Sequence, residues 1–353
     1  MQDTVGYKIA GGTAGRALFI AAGGRCYISR RYEIFRSDDW GRSWQLDCRA
    51  PTSGWKSYAS LSSLGARLLR YYIEALQVLD DGSRVAVARD GLYRAGPGEI
   101  RMTRTFKITR GSRPLHLSAD GARLLFGEYG DGYEATEVLV YVSEDSGRSW
   151  NVGYKFPAGD IRHVHNIVPD PWNNHYWIMV GDFGQQPGIG ALSKDLRNID
   201  WLTRGNQESR VVSPIVNEDH LVYGMDSDYD ENFIVRLDKQ SGKMTKLRQI
   251  EGSSLYSARF GSTSVISTCV EKNPACPSRE CSLYVSRDGD AWTRIEPHKK
   301  DWYNYILFQF GTLVLPYAYC DQPKGMYSGQ AVVGGHNSVR MLDLEVASPA
   351  GDG

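Results

Sequence analysis

The sequence predicts an all-β fold, a seven-bladed β-propeller of four-stranded antiparallel blades, with six blades as the alternative count. Three observations lead there. A turn motif recurs at multiples of one spacing, the stretches between its copies break into short strands, and 353 residues hold about seven units of that spacing.

The motif comes first. Ser37-Asp38-Asp39-Trp40-Gly41-Arg42-Ser43-Trp44 reads S-x-D-x-G-x-x-W, and Ser143 through Trp150 repeats it. Ser286-Arg287-Asp288-Gly289-Asp290-Ala291-Trp292 is one residue shorter, and Ser193-Lys194-Asp195, followed by Trp201, is a degenerate copy. The serines at 37, 143, 193 and 286 lie 106, 50 and 93 residues apart, or about two, one and two units of roughly fifty. Each residue type has a physical role. The Asp carboxylate accepts backbone N–H groups inside its own turn, Gly supplies a positive φ, and Trp opens the next strand and packs over the turn.

The strands follow. In the fourth unit they read His163–Val168, His175–Val180, Ile189–Leu192 and a strand from Trp201, with Asp170-Pro171-Trp172-Asn173-Asn174 as the first turn. The third unit repeats the rhythm from Pro114 and the fifth from Val211, while units two, six and seven are read from Ile73, Leu255 and Tyr303. No long segment of helical period competes. A β-sandwich offers no reason for a fifty-residue period. The whole chain, 1–353, is read as one domain whose longest polar connection is Pro51 to Ala66. The run Val5–Ala10 is expected to add a strand to the last blade and close the ring.

Composition narrows the function. With 41 basic and 41 acidic side chains the formal charge is +0, which argues against a general electrostatic grip on nucleic acid or an anionic membrane. No apolar stretch is long enough to insert into a membrane. The start shows no signal-peptide pattern. A native Met1 implies a cytoplasmic protein, and removal of a leader implies a secreted or periplasmic one. Cys26, Cys48, Cys269, Cys276, Cys281 and Cys320 permit disulfides without showing them, and their spacing fits no zinc pattern.

The turn motif resembles the Asp-box, or BNR, repeats of sialidases and related propeller enzymes, at the level of the repeat over most of the chain. A second series is more specific: Gly127-Glu128-Tyr129, Arg162-His163-Val164-His165, Gly181-Asp182 and Tyr223-Gly224-Met225-Asp226. It is similar to propeller polysaccharide lyases and rhamnosidases that act beside a uronic acid. The resemblance implies that the turns mark fold only and lie on the face away from the pocket. True sialidases carry an Arg-Ile-Pro motif near the first blade, which is absent here. Ser112-Arg113-Pro114-Leu115 is the nearest piece.

Topology gives a site without the family. In a propeller the innermost strand starts at the face where the second and third strands connect. That face is expected to collect Arg70, Tyr71, Arg113, Glu128, Tyr129, Arg162, His163, His165, Asp182, Asp226, Asp228 and Arg259. Alternation on a strand puts His163 and His165 on one face, where they share a divalent metal or divide acid–base and substrate contacts. Plainer readings stand beside these. The histidines fix strand ends, Tyr129 is a packed aromatic, Glu128 and Asp182 cap loops, and Asp226 with Asp228 forms a solvated acidic loop.

The expected function is a carbohydrate-active enzyme acting on an acidic, uronate-containing oligo- or polysaccharide, with lyase chemistry ahead of hydrolysis. Tyr129, His163 and His165 are the catalytic candidates. Arg70, Arg113, Glu128, Arg162, Asp182, Arg210, Asp226 and Arg259 are the substrate-binding ones. No cofactor is required, although a divalent metal is an option. The alternatives are a sialidase-like glycoside hydrolase using carboxylates such as Glu128 and Asp182, and a non-catalytic propeller that binds a glycan or a protein.

Overall fold

The structure is a computed structural model and describes residues 6–52, 62–88, 90–130 and 136–345. It contains seven antiparallel four-stranded blades in chain order. Short β-branched and aromatic runs such as Arg84–Ala88, buried at every position, form the inner strands of each blade, and polar runs such as Thr103–Lys107 form the rims. The core lies between neighbouring blades. Leu125, Val140 and Val142 of blade three, for example, share one cluster with Ile167, Ile178 and Val180 of blade four.

Ring closure follows the sequence expectation with the strand shifted along the chain from Val5–Ala10, of which Val5 lies outside the described residues. Lys8–Ala14 is the outermost strand of the seventh blade and pairs antiparallel with Ser338–Asp343, from Lys8 opposite Asp343 to Ala14 opposite Ser338. The chain then turns directly into Arg16–Ile20, the innermost strand of blade one. First and last segments thus share one sheet, which ties the two ends of the ring together.

The four Ser-x-Asp turns all connect the third strand of a blade to the fourth. In the second of them, Ser149 N and Arg148 N donate to Asp145 Oδ1 at 2.9 and 3.0 Å, and Gly147 N donates to Ser143 Oγ at 2.9 Å. Two successive residues hold the left-handed conformation, Ser146 at φ 58° and Gly147 at φ 80°. A Cβ on Gly147 would also come within 2.8 Å of Val85 in blade two, so this glycine is needed for space as well as for its turn. Trp44 and Trp150 are half-buried, and Trp292 is buried at 6% exposure.

Two sequence expectations shift, and one left open is resolved. The seventh blade begins at Gly311 rather than near Tyr303, because 300–310 forms a connection with a short helix, Tyr305–Phe308. A second short helix, Ser63–Leu68, ends the long connection after blade one; the rest of that expectation, 53–61, lies outside the described residues. The six cysteines are buried free thiols. Burial pushes Cys26 and Cys48 up to about 12, so they are inert core residues.

Candidate functional site

Each innermost strand begins at one face of the ring, opposite the Ser-x-Asp turns. Two backbone features build the site at that mouth from blades three and four. Gly127 ends the second strand of blade three, Arg123–Gly127, and a Cβ there would lie 2.3 Å from Val164. The bare glycine lets the inner strand of blade four, Val164–Pro169, lie directly against it, with Val164 N donating to Glu128 O at 3.0 Å. Tyr129 is thereby laid on His163, the rings stacked with centroids 4.1 Å apart. Gly181, at φ 75°, makes the tight turn after His175–Val180, and its N–H donates to His163 O at 3.1 Å, bringing Asp182 under both histidines. The pairing register of this blade slips between Val164 and Asn166, so a bulge falls at His165. Bulges of this kind re-aim a side chain beside functional sites.

The centre of this group is buried. His163, His165 and Asp182 are each 3% exposed. His163 Nε2 and His165 Nε2 lie 3.3 and 3.2 Å from Asp182 Oδ1. Arg162 Nη1 approaches Asp182 Oδ2 at 3.3 Å, and Arg210 Nε approaches Asp182 Oδ1 at 3.4 Å. Burial opposes the charge of Asp182, but the two adjacent imidazoles hold its carboxyl well below the usual range. Burial pushes His165 down. Arg210 continues to Asp226 Oδ2 at 3.3 Å and Asp228 Oδ2 at 2.8 Å. Asn273 bridges Asp228 to Glu271, whose carboxylate also accepts from Ser253 Oγ at 2.8 Å. Burial and neighbouring carboxylates push Asp226 and Glu271 up.

A second group at the same mouth comes from blades one, two, three, six and seven. Glu74 accepts from Arg16, from Arg113 Nε at 2.7 Å and from Tyr256 Oη at 3.3 Å. Tyr72 lies between the two guanidiniums, 4.9 Å from Arg16 and 4.5 Å from Arg113, and Arg16 also donates to Gln330. Burial opposes the charge of Glu74, yet Arg16 and Arg113 hold it below its ordinary value. A cavity of about 540 Å³, lined by Arg16, Arg67, Tyr72, Gln309 and Gln330 among others, opens beside this group. That volume suits a small ligand. His116 meets Tyr317 Oη at 2.9 Å, and Tyr317–Ala318 runs parallel to the end of Arg16–Ile20.

The structure therefore brings together Tyr129, Arg162, His163, His165, Asp182, Arg210, Asp226 and Asp228, and sets Arg113 nearby. It separates the others. Arg70, at φ 49°, has an exposed side chain and contributes its carbonyl to Arg113. Tyr71 stacks on Tyr32 instead, and its neighbour Tyr72 faces the arginines. Glu128 is taken up in its own loop by Leu139 N at 3.0 Å and Tyr141 Oη at 3.3 Å. Arg259 sits at the other end of the inner strand Tyr256–Phe260, bound to Asn217 near the far face. The strand is five residues long, and Tyr256, three positions earlier, is the residue that reaches the mouth. Arg16, Tyr72, Glu74, Tyr256, Glu271 and Gln330 were not found from sequence. Arg16, Glu74 and Tyr256 stand at or just before inner-strand starts, the signal that marked His163.

Fold and mouth together define a seven-bladed propeller with a polar, ion-paired opening on one face. No protein-family model matches the sequence, and no curated protein matches it. Solved structures share the fold. A GH74 enzyme from Niastella koreensis superposes with TM-score 0.55 at 13% identity over 81% of this chain. The extracellular domain of BT4673 from B. thetaiotaomicron gives 0.56 at 12% over 95%. YCF48 from Cyanidioschyzon merolae gives 0.55 at 12% over 96% of this chain and 99% of its own. The chain spans only 46% of the GH74 enzyme and 38% of the BT4673 chain. At these identities the likeness is one of fold.

Proposed function

We propose that this propeller is a carbohydrate-active enzyme acting at this mouth on an acidic, uronate-containing glycan, by elimination rather than hydrolysis. One observation carries the reading: Tyr129 is stacked 4.1 Å from His163 beside His165 and Asp182, so proton-transfer groups from two blades meet at one opening. The cavity beside Arg16 and the likeness in fold to a GH74 enzyme support it.

Elimination beside a uronate carboxylate breaks the C5–H and C4–O bonds and forms a C4–C5 double bond. It needs positive charge at the carboxylate, a group to take the C5 proton and a group to protonate the leaving oxygen. Burial, and then the charges of Asp182 and Asp226, push the Tyr129 phenol up, so it is protonated at neutral pH and able to deliver a proton to the departing oxygen. The imidazoles beside it are the acceptors for the C5 proton. Hydrolysis by paired carboxylates is less well served, since Glu128 is occupied within its loop. The test is a panel of acidic polysaccharides read by ultraviolet absorbance and by reducing ends. Elimination gives both signals, and hydrolysis gives reducing ends alone.

A second reading, a non-catalytic glycan-binding propeller, is favoured by the pairing of Arg16, Arg113, Arg162 and Arg210 with carboxylates of the protein itself. Retention of an acidic glycan with neither product signal would establish it.

A further inference from the structure

The buried contact between His163 and Asp182 is not closed by the protein. His163 Nδ1 faces the carbonyl of Gly130 at 3.3 Å, and a carbonyl only accepts, so Nδ1 carries the proton and, in the neutral ring, Nε2 presents a lone pair. That lone pair lies 3.3 Å from Asp182 Oδ1, an anionic oxygen, and neither atom has a hydrogen-bond partner. In that neutral ring two acceptors face one another inside the protein at 3% exposure each, an arrangement that costs free energy unless a proton or a metal ion stands between them. His165 lies beside them: its Nε2 stands 2.9 Å from the Gly181 carbonyl and so carries its proton, 3.2 Å from the same Oδ1, while its buried Nδ1 has no hydrogen-bond partner; one ligand atom from each of the three residues falls within 4.8 Å of the others.

We infer that His163, His165 and Asp182 form a binding site for one divalent transition-metal ion. Metal–ligand bonds of about 2.0–2.1 Å place neighbouring tetrahedral ligands about 3.3–3.4 Å apart, which matches the 3.3 Å between His163 Nε2 and Asp182 Oδ1. Imidazole with carboxylate selects zinc, manganese and their neighbours over calcium and magnesium. Three protein ligands leave at least one position open, the pattern of catalytic rather than structural sites. The outer shell is in place, since the Gly130 carbonyl fixes the His163 tautomer and Arg162 holds the other oxygen of Asp182. Charge agrees: Asp182, Asp226, Asp228 and Glu271 form a linked group served by two guanidiniums, Arg162 and Arg210.

The inference deepens the proposed glycan reading by giving that mouth a cation for a substrate carboxylate, since its arginines are already paired. With the cation in place His163 and His165 serve as ligands instead of proton acceptors, and Tyr129 is left to move protons. The experiment needs no glycan. Purified full-length protein is stripped with chelator, then titrated with Zn²⁺ alone and with Mn²⁺ alone, following bound metal, melting temperature and, with Co²⁺ as a probe, visible absorbance. One ion per chain should bind and raise the melting temperature. His163→Ala and Asp182→Asn should each weaken binding at least about tenfold, the scale on which even outer-shell changes act. Arg259→Ala, at the far end of its strand, should leave binding unchanged and control for folding. Absence of binding by the wild-type protein overturns the site. So does binding that survives in folded His163→Ala and Asp182→Asn proteins. Metal binding without glycan turnover would leave the site standing and count against the glycan reading alone, and turnover by metal-free protein would do the reverse.

Discussion

Glu74→Gln isolates the balance of charge at the mouth. The carboxylate is 6% exposed and is the shared acceptor of Arg16, Arg113 and Tyr256. The substitution keeps the shape, removes the negative charge and leaves two guanidiniums facing each other across Tyr72. Breaking a buried ion pair by removing one partner costs about 3–5 kcal/mol, because the remaining charge stays buried and uncompensated. Two cations lose their partner here, which points to the upper half of that range. At about 2 °C per kcal/mol for a chain of this size, the melting temperature should fall by about 8–10 °C. Thermal and urea melts of wild type and variant measure it. Arg113→Met in the Glu74→Gln background should recover part of the loss, since one stranded charge is gone. A melting temperature within about 1 °C of wild type would refute the reasoning, because the carboxylate would then not be compensating the arginines.

Other outcomes follow from the same geometry. Trp292→Ala should destabilise by about 3–5 kcal/mol, since the indole is buried, whereas half-buried Trp44→Ala and Trp150→Ala should cost about half as much, all read by urea midpoints. Asp170 has a folded value of about 2: burial opposes its charge, but Lys239 at 2.7 Å, the Trp172 N–H and the Trp177 indole outweigh it. Its folded value lies below its unfolded one, so its stabilisation is full above the ordinary carboxylate range and is lost as pH falls toward 2. Asp170→Asn should flatten the melting temperature's dependence on pH between about 4 and 2. On the proposed reading, Tyr129→Phe should lower turnover by about 10²–10⁴-fold with little change in melting, measured by ultraviolet absorbance on an acidic polysaccharide. A turnover equal to wild type would remove the phenol from the chemistry.

What the sequence disclosed, and what it did not, depends on how local each signal is. The Ser-x-Asp turns were legible because their hydrogen bonds join residues two to four apart, as in Ser37, Asp39, Gly41 and Ser43. Seven blades followed from their period. His163, His165 and Asp182 were legible because the strand phase of one well-marked unit fixes which ends face the mouth. The Arg16–Glu74–Arg113 group was not, since its members are 58 and 39 residues apart and meet only when the ring closes. Arg259 was misplaced because a residue near the start of a strand and one near its end differ by only a few positions, and the inner strand of blade six runs Tyr256–Phe260. The Glu128 carboxylate looked available because nothing local shows that Tyr141 returns to it across the hairpin.

On the proposed reading this face, and not the face of the Ser-x-Asp turns, engages an acidic glycan. Hydrogen exchange, with and without a pool of uronate-containing tetrasaccharides, tests it most directly. Protection is expected at 128–130, 162–166, 181–183 and 225–228, with the turns at 37–44 and 143–150 unchanged. Protection confined to those turns, or no protection with any uronate in the pool, would contradict it.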